Sequence, residues 1–219
     1  MKNAIIFVLG CSVATATTPK LPAEETLCVH LYNLARVPPQ TVQWATGLAS
    51  RIFATRGIIT RWELHSADSP ESNLVDLNTS VSEFSRWANR SCLVVRLVRD
   101  LPFNTYPGAL GFSHPLARFG VNAEILYRRV EIEATSVGMD PYILLGYTLA
   151  HEIGHVLLRS SAHAPAGIMQ AHPGTESWRL AKAGNIAFLP AEAKQMRLEL
   201  ARASAGTASD VALNRFPIR

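Results

Sequence analysis

The chain has little charge and few cysteines for its length. Asp, Glu, Lys and Arg make up 17% of its 219 residues, whereas 48% are hydrophobic. That balance excludes a mainly disordered chain and supplies a sizeable core. The net charge is +4, but no basic run accompanies it. Arg96, Arg99, Arg128 and Arg129 come as singles or pairs, which reads as a solvated face and argues against a nucleic-acid partner. No later stretch reaches the eighteen or so uninterrupted apolar residues of a transmembrane helix. No internal repeat, second domain or acidic calcium-type cluster is visible. The expectation is one domain acting as a monomer.

Only three cysteines occur, Cys11, Cys28 and Cys92, and none has the spacing of a metal site. Cys11 lies in a leader-like start, MKNAIIFVLGCSVATATTPK. Lys2 provides a positive n-region, Ala4 to Val13 an apolar h-region, and Ala14-Thr15-Ala16 a small-x-small cleavage site. These are the parts of a secretory signal. The expected division is a signal peptide over 1–16, one domain over 17–206 and a flexible tail over 207–219. The expected location is secreted or periplasmic. A rival reading takes Val8-Leu9-Gly10-Cys11 as a lipobox that anchors the chain at Cys11, although the segment before it is short. In an exported chain, Cys28 and Cys92 read either as one disulfide or as two buried thiols.

Residues 25–34 alternate Leu27, Val29 and Leu31 against Cys28, His30 and Tyr32, as a strand does. His30 reads there as an ordinary core or surface histidine. After Pro38-Pro39, apolar residues at three-and-four spacing predict a helix over 41–55. Strands follow at 58–64, 91–99 and 121–127, with an irregular excursion over 66–82. Asn122, Glu124 and Tyr127 suggest that the last strand has one wet face. The first strand, helix and second strand form a βαβ unit with parallel strands. Asp140-Pro141 opens a helix to about Leu158. A last helix is expected over 191–203.

The chemistry concentrates in residues 151–169. His151-Glu152-Ile153-Gly154-His155 is the H-E-x-x-H string. On a helix, residues four apart lie about 40° apart around the axis and about 6 Å along it. Both imidazoles can therefore share one metal ion, while Glu152 reaches a water without ligating the metal. A hydrolytic zinc site needs a third protein ligand and an open position. His163 is the first candidate, and Gly167-Ile168-Met169 follows in a second turn. Glu176, twenty-one residues after His155, is the other candidate. His172 reads as a surface or supporting histidine.

This order of residues resembles the metzincin clan of zinc peptidases, which includes the matrix metalloproteinases and astacins. The resemblance covers roughly residues 24–204 and implies an α+β fold. Its parts would be a mixed, mostly parallel twisted sheet with an antiparallel edge strand, a backing helix, an active-site helix, and a C-terminal helix after a Met-turn. It implies zinc (Zn2+) held by His151, His155 and His163, Glu152 as general base, and Met169 as the floor beneath the metal. Ala109, Leu110, Gly111 and Phe112 would form the cleft edge that pairs with bound substrate. The chain departs from the clan pattern at three places. Leu158 stands where the clan has glycine, Ser161 stands at the usual third-ligand position, and Ala171 stands where many members have Tyr. Glu176 would instead place the chain nearer the thermolysin-like gluzincins.

The expected activity is that of an exported zinc endopeptidase acting on peptide or protein substrates. A zinc hydrolase of cell-wall peptides and a non-catalytic zinc-binding protein are the other readings. Glu152 weighs against the last, because a structural site has no need of a base.

Overall fold

A computed structural model describes residues 25–69, 92–101, 107–117 and 121–213. The signal-like start and most of the irregular excursion lie outside the described residues. Strand β1 (Glu25–Asn33) leads through helix α1 (Pro39–Ala54) to β2 (Ile58–Ser66). The expected βαβ unit is present: β1 and β2 run parallel from Glu25↔Ile58 to Asn33↔Ser66. Strand β3 (Cys92–Val98) pairs with the other side of β1, again parallel. Strands β4 (Gly111–Ser113) and β5 (Ala123–Leu126) complete a sheet of order β2-β1-β3-β5-β4. β5 runs parallel to β3, and β4 is the antiparallel edge strand.

Period-two alternation on β1 turns Leu27, Val29 and Leu31 into the core. Helix α1 meets them with Val42, Ala45, Leu48, Ala49, Ile52 and Phe53. The opposite face of β1 carries Cys28, which lies in register with Cys92 on β3, and the two form a disulfide. The open choice between disulfide and free thiols falls to the disulfide because parallel pairing puts these residues side by side.

Helix α2 (Tyr127–Ser136) begins directly where β5 ends. The strand expected to run through Tyr127 therefore ends at Leu126, and the helix leaves little trace in the sequence, since its buried stripe is only Tyr127, Val130 and Ala134. The wet face expected of β5 is absent as well. Asn122, Glu124 and Tyr127 are all buried. Glu124 pairs with Arg96, and Asn122 Oδ1 accepts the Val94 amide at 2.8 Å.

Helix α3 (Pro141–Leu158) starts after Asp140, as expected, and is buried along most of its length. It crosses α1 at Gly146, where a Cβ would stand 2.9 Å from the Ala45 carbonyl oxygen. Helix α4 (Thr175–Lys182) was not foreseen; it buries only Ala181 and therefore leaves little apolar pattern. Helix α5 (Pro190–Leu213) runs past Ala203 into the stretch expected to be tail. The expected α+β layout is thus present: a mostly parallel sheet with an antiparallel edge, a backing helix, the helix carrying H-E-x-x-H, and a C-terminal helix.

Candidate metal centre

His151 and His155 lie on the last turns of α3. Their Nε2 atoms face each other at 3.1 Å. The chain that follows brings His163 to them. Its ring centroid lies 5.3 Å from that of His151 and 4.8 Å from that of His155. One ligand atom from each of the three falls within 4.8 Å of the others. Glu176 is elsewhere: it is exposed, and its carboxylate receives Arg179 Nε at 2.8 Å and Nη2 at 2.6 Å. His172 is exposed.

The turn that delivers His163 solves the missing-glycine problem. Helix α3 stops at Arg159, which takes the left-handed conformation at φ 52°, ψ 38°. The Ser160 amide then donates back to the His155 carbonyl at 3.2 Å. An arginine thus does what glycine does at this kind of helix end. A side chain in that region costs roughly 1–2 kcal/mol, partly offset by the roughly 0.5–1 kcal/mol of extra chain entropy that glycine loses on folding. Arg159→Gly is therefore expected to leave stability unchanged or raise it by up to about 1 kcal/mol. Urea denaturation checks this, and a loss larger than that would mean the turn is held by Arg159 contacts.

The same turns fix the imidazoles. His155 Nδ1 donates to the Ser160 carbonyl at 2.8 Å, and His151 Nδ1 donates to the Ile168 carbonyl at 2.7 Å. A carbonyl only accepts, so each neutral ring carries its proton on Nδ1 and a lone pair on Nε2. Two lone pairs then confront one another at 3.1 Å, which repels unless a cation lies between them. A proton is a poor candidate for that cation. Burial drives His151 down to about 4, with the Ile168 hydrogen bond opposing and the His155 and His163 charges adding. Burial also lowers His155. The donor set of three imidazoles, two of them oriented by backbone carbonyls, fits zinc.

Met169 is 1% exposed and sits directly beneath the helix. Gly167, at φ 80°, turns the chain, and the Ala164 amide donates to the Met169 carbonyl at 2.8 Å. Gly154, inside the H-E-x-x-H string, makes room for this floor. A Cβ there would lie 2.6 Å from Met169 Sδ and 2.8 Å from Phe188 Cε1. Gly154→Ala is expected to cost roughly 2 kcal/mol through overpacking, measured by denaturation of the metal-free protein. An unchanged midpoint would show that Met169 can move aside.

Glu152 is 6% exposed, and burial raises its carboxyl to about 7, opposed by a hydrogen bond from Ser113. It packs under the edge strand: a Cβ on Gly111 would stand 3.0 Å from Glu152 Cγ and 2.8 Å from the Glu124 carbonyl. The expected cleft edge, Ala109 to Phe112, lies at this place. Gly111 and Phe112 belong to β4, and the Leu110 carbonyl accepts the Leu126 amide at 2.8 Å just before it. Ser113 was not singled out from sequence. Nothing local marks it; only the β4–α3 approach brings it to Glu152.

No family model and no curated protein matches the sequence. Solved structures do. Archaemetzincin from Methanopyrus kandleri aligns over 84% of this chain and 100% of its own, at 15% identity and a TM-score of 0.50. A zinc-dependent peptidase from Methanocorpusculum labreanum aligns over 77% of this chain and 99% of its own, at 16% identity and a TM-score of 0.48. Metalloproteinase-II from Bacteroides fragilis aligns over 78% and 56%, at 12% identity and a TM-score of 0.42. At these identities the likeness is one of fold, and the chain shares its fold with the Methanopyrus kandleri archaemetzincin.

Proposed function

We propose that the protein is a zinc-dependent endopeptidase of metzincin type, exported from the cytoplasm. The observation that carries this is the pair of Nε2 lone pairs facing one another at 3.1 Å, with His163 closing the third side and the buried Glu152 carboxylate on the same helix. The shared fold with a protein named archaemetzincin supports it. Export is supported by the Cys28–Cys92 disulfide, a bond that persists in oxidising compartments, and by the signal-like start. Among the described residues no helix is long and apolar enough to cross a membrane.

His151, His155 and His163 would hold the zinc, which when bound supplies an electrophile for the scissile carbonyl and acidifies water. Glu152 takes the proton of the attacking water and later returns it to the leaving amine. A carboxyl raised to about 7 is suited to both directions, because proton transfer is most effective when the donor's pKa lies near working pH. Ser113 holds the carboxylate in place. Strand β4 is the edge of the sheet next to this base, so an extended peptide can add there as a further strand with its scissile bond near Glu152. Ile168 and Ser160 keep the two helix imidazoles in the metal-binding tautomer.

The test is to measure bound zinc in the purified protein and cleavage of a mixed peptide library. Internal cleavage that stops on chelation and returns with zinc is expected. A protein that binds no zinc, or binds it and cleaves no peptide, would sink the proposal. Cleavage confined to cell-wall peptides would move it to the other hydrolase reading.

A further inference from the structure

The face of the sheet opposite α1 and α3 carries a second group of ligand atoms. Parallel register sets His30 on β1 beside Glu63 on β2, and Tyr32 beside His65. All four therefore project from the same face. His30 Nδ1 stands 3.0 Å from His65 Nε2, and Glu63 Oε2 stands 3.3 Å from His30 Nδ1. The three ligand atoms lie within 4.8 Å of one another, as those of the candidate metal centre do.

We propose that His30, Glu63 and His65 form a second metal site, for a divalent transition-metal ion such as Zn2+ or Cu2+. Each neutral imidazole can offer a lone pair to a cation, and the carboxylate offers its charge. The three ligand atoms lie close enough for one divalent ion to be held by all of them. The spacing also suits it: metal–nitrogen bonds of about 2.0–2.1 Å in a tetrahedral site put two nitrogens about 3.3 Å apart. Two imidazoles and one carboxylate are a donor set for zinc, copper or nickel rather than calcium or magnesium.

The group is held and open in the right places. Tyr32 stacks on His65, centroids 4.3 Å apart and planes 10° apart, which orients that ring. His30 is 14% exposed and forms the floor, while Glu63 is 48% exposed and forms the rim by which an ion enters. Among the described residues β2 is the outermost strand on that side of the sheet, so the ion would clip it to β1. The site does not depend on the proposed peptidase activity.

The experiment titrates the metal-free, full-length protein with Zn2+ in the absence of reductant, so that Cys28 and Cys92 stay paired and offer no thiolate. His65→Gln and Glu63→Gln are each compared with wild type, and His151→Ala/His155→Ala marks the other centre. Wild type should bind one zinc more than His65→Gln. Glu63→Gln should hold that ion at least tenfold more weakly, and the His151→Ala/His155→Ala protein should keep it. The melting temperature should rise with Zn2+ in wild type, and this rise should shrink in both His65→Gln and Glu63→Gln while peptide cleavage stays unchanged. Zinc binding as tight and as abundant as wild type in either variant overturns the site and leaves a hydrogen-bonded cluster. If His65→Gln does not fold, Glu63→Gln at its half-exposed position decides alone.

Discussion

Glu152→Gln is expected to lower kcat by about 10²- to 10⁴-fold while zinc content and fold stay as in wild type. The amide is nearly isosteric with the acid, so the packing beneath Gly111 is kept. It cannot take a proton from water, so the loss should fall on kcat and leave KM near its original value. The measurement is steady-state cleavage of one defined peptide, alongside zinc content by emission spectrometry. A variant that keeps both zinc and full activity would remove Glu152 from the chemistry. Loss of zinc together with activity would instead give the residue a structural part in holding the site. Because burial is the main cause of the raised carboxyl, a substitution that admits water beside Glu152 should lower its pKa and move the acid limb of the activity profile to lower pH.

The second large effect separates the two candidates for the third ligand. His163→Ala is expected to weaken zinc binding by more than about 100-fold, since loss of an outer partner of a ligand alone costs 10- to 100-fold. Glu176→Ala is expected to change nothing. The Glu176 carboxylate is exposed and engaged by Arg179, whose hydrogen bonds hold it below the usual carboxylate range. His163 meets both helix imidazoles within ring-contact distance. Competition with a chelator of known affinity gives both values. The reverse outcome, with zinc lost only in Glu176→Ala, would place the protein on the gluzincin side and leave His163 as a surface residue.

These two substitutions probe different depths of what the sequence discloses. The pairing of His151 with His155 follows from helix geometry alone, because the period of 3.6 residues fixes which side chains share a face. The same local rule found α1, α3 and the alternation of β1. It failed where the buried stripe is narrow, as in α2 and α4, and where a polar residue is buried against a partner distant in sequence. Glu124 looked wet because nothing near it in the chain announces Arg96.

The Met-turn lies between these cases. Gly167 and Met169 are legible as a turn and an apolar residue, but Gly154 reads only as one of the two free positions inside H-E-x-x-H. Its role comes from Met169 Sδ and Phe188 arriving where a side chain would be. Arg159 is a further step away. Without a glycine, the end of α3 reads as a weakness, yet the chain accepts a left-handed arginine there. The hydrogen bonds of Ser160 around that bend then also orient His155.

By itself, then, the sequence determined the periodic elements and the candidate metal-binding pair on one helix face, since both depend on spacing within a single stretch. The tertiary structure decided the rest: His163 over Glu176 as the neighbour of that pair, the Cys28–Cys92 bond, the burial of Glu152 beneath β4, and the meeting of His30, Glu63 and His65. Each of these joins residues from different elements, and their distances are set by strand register and helix packing rather than by separation along the chain.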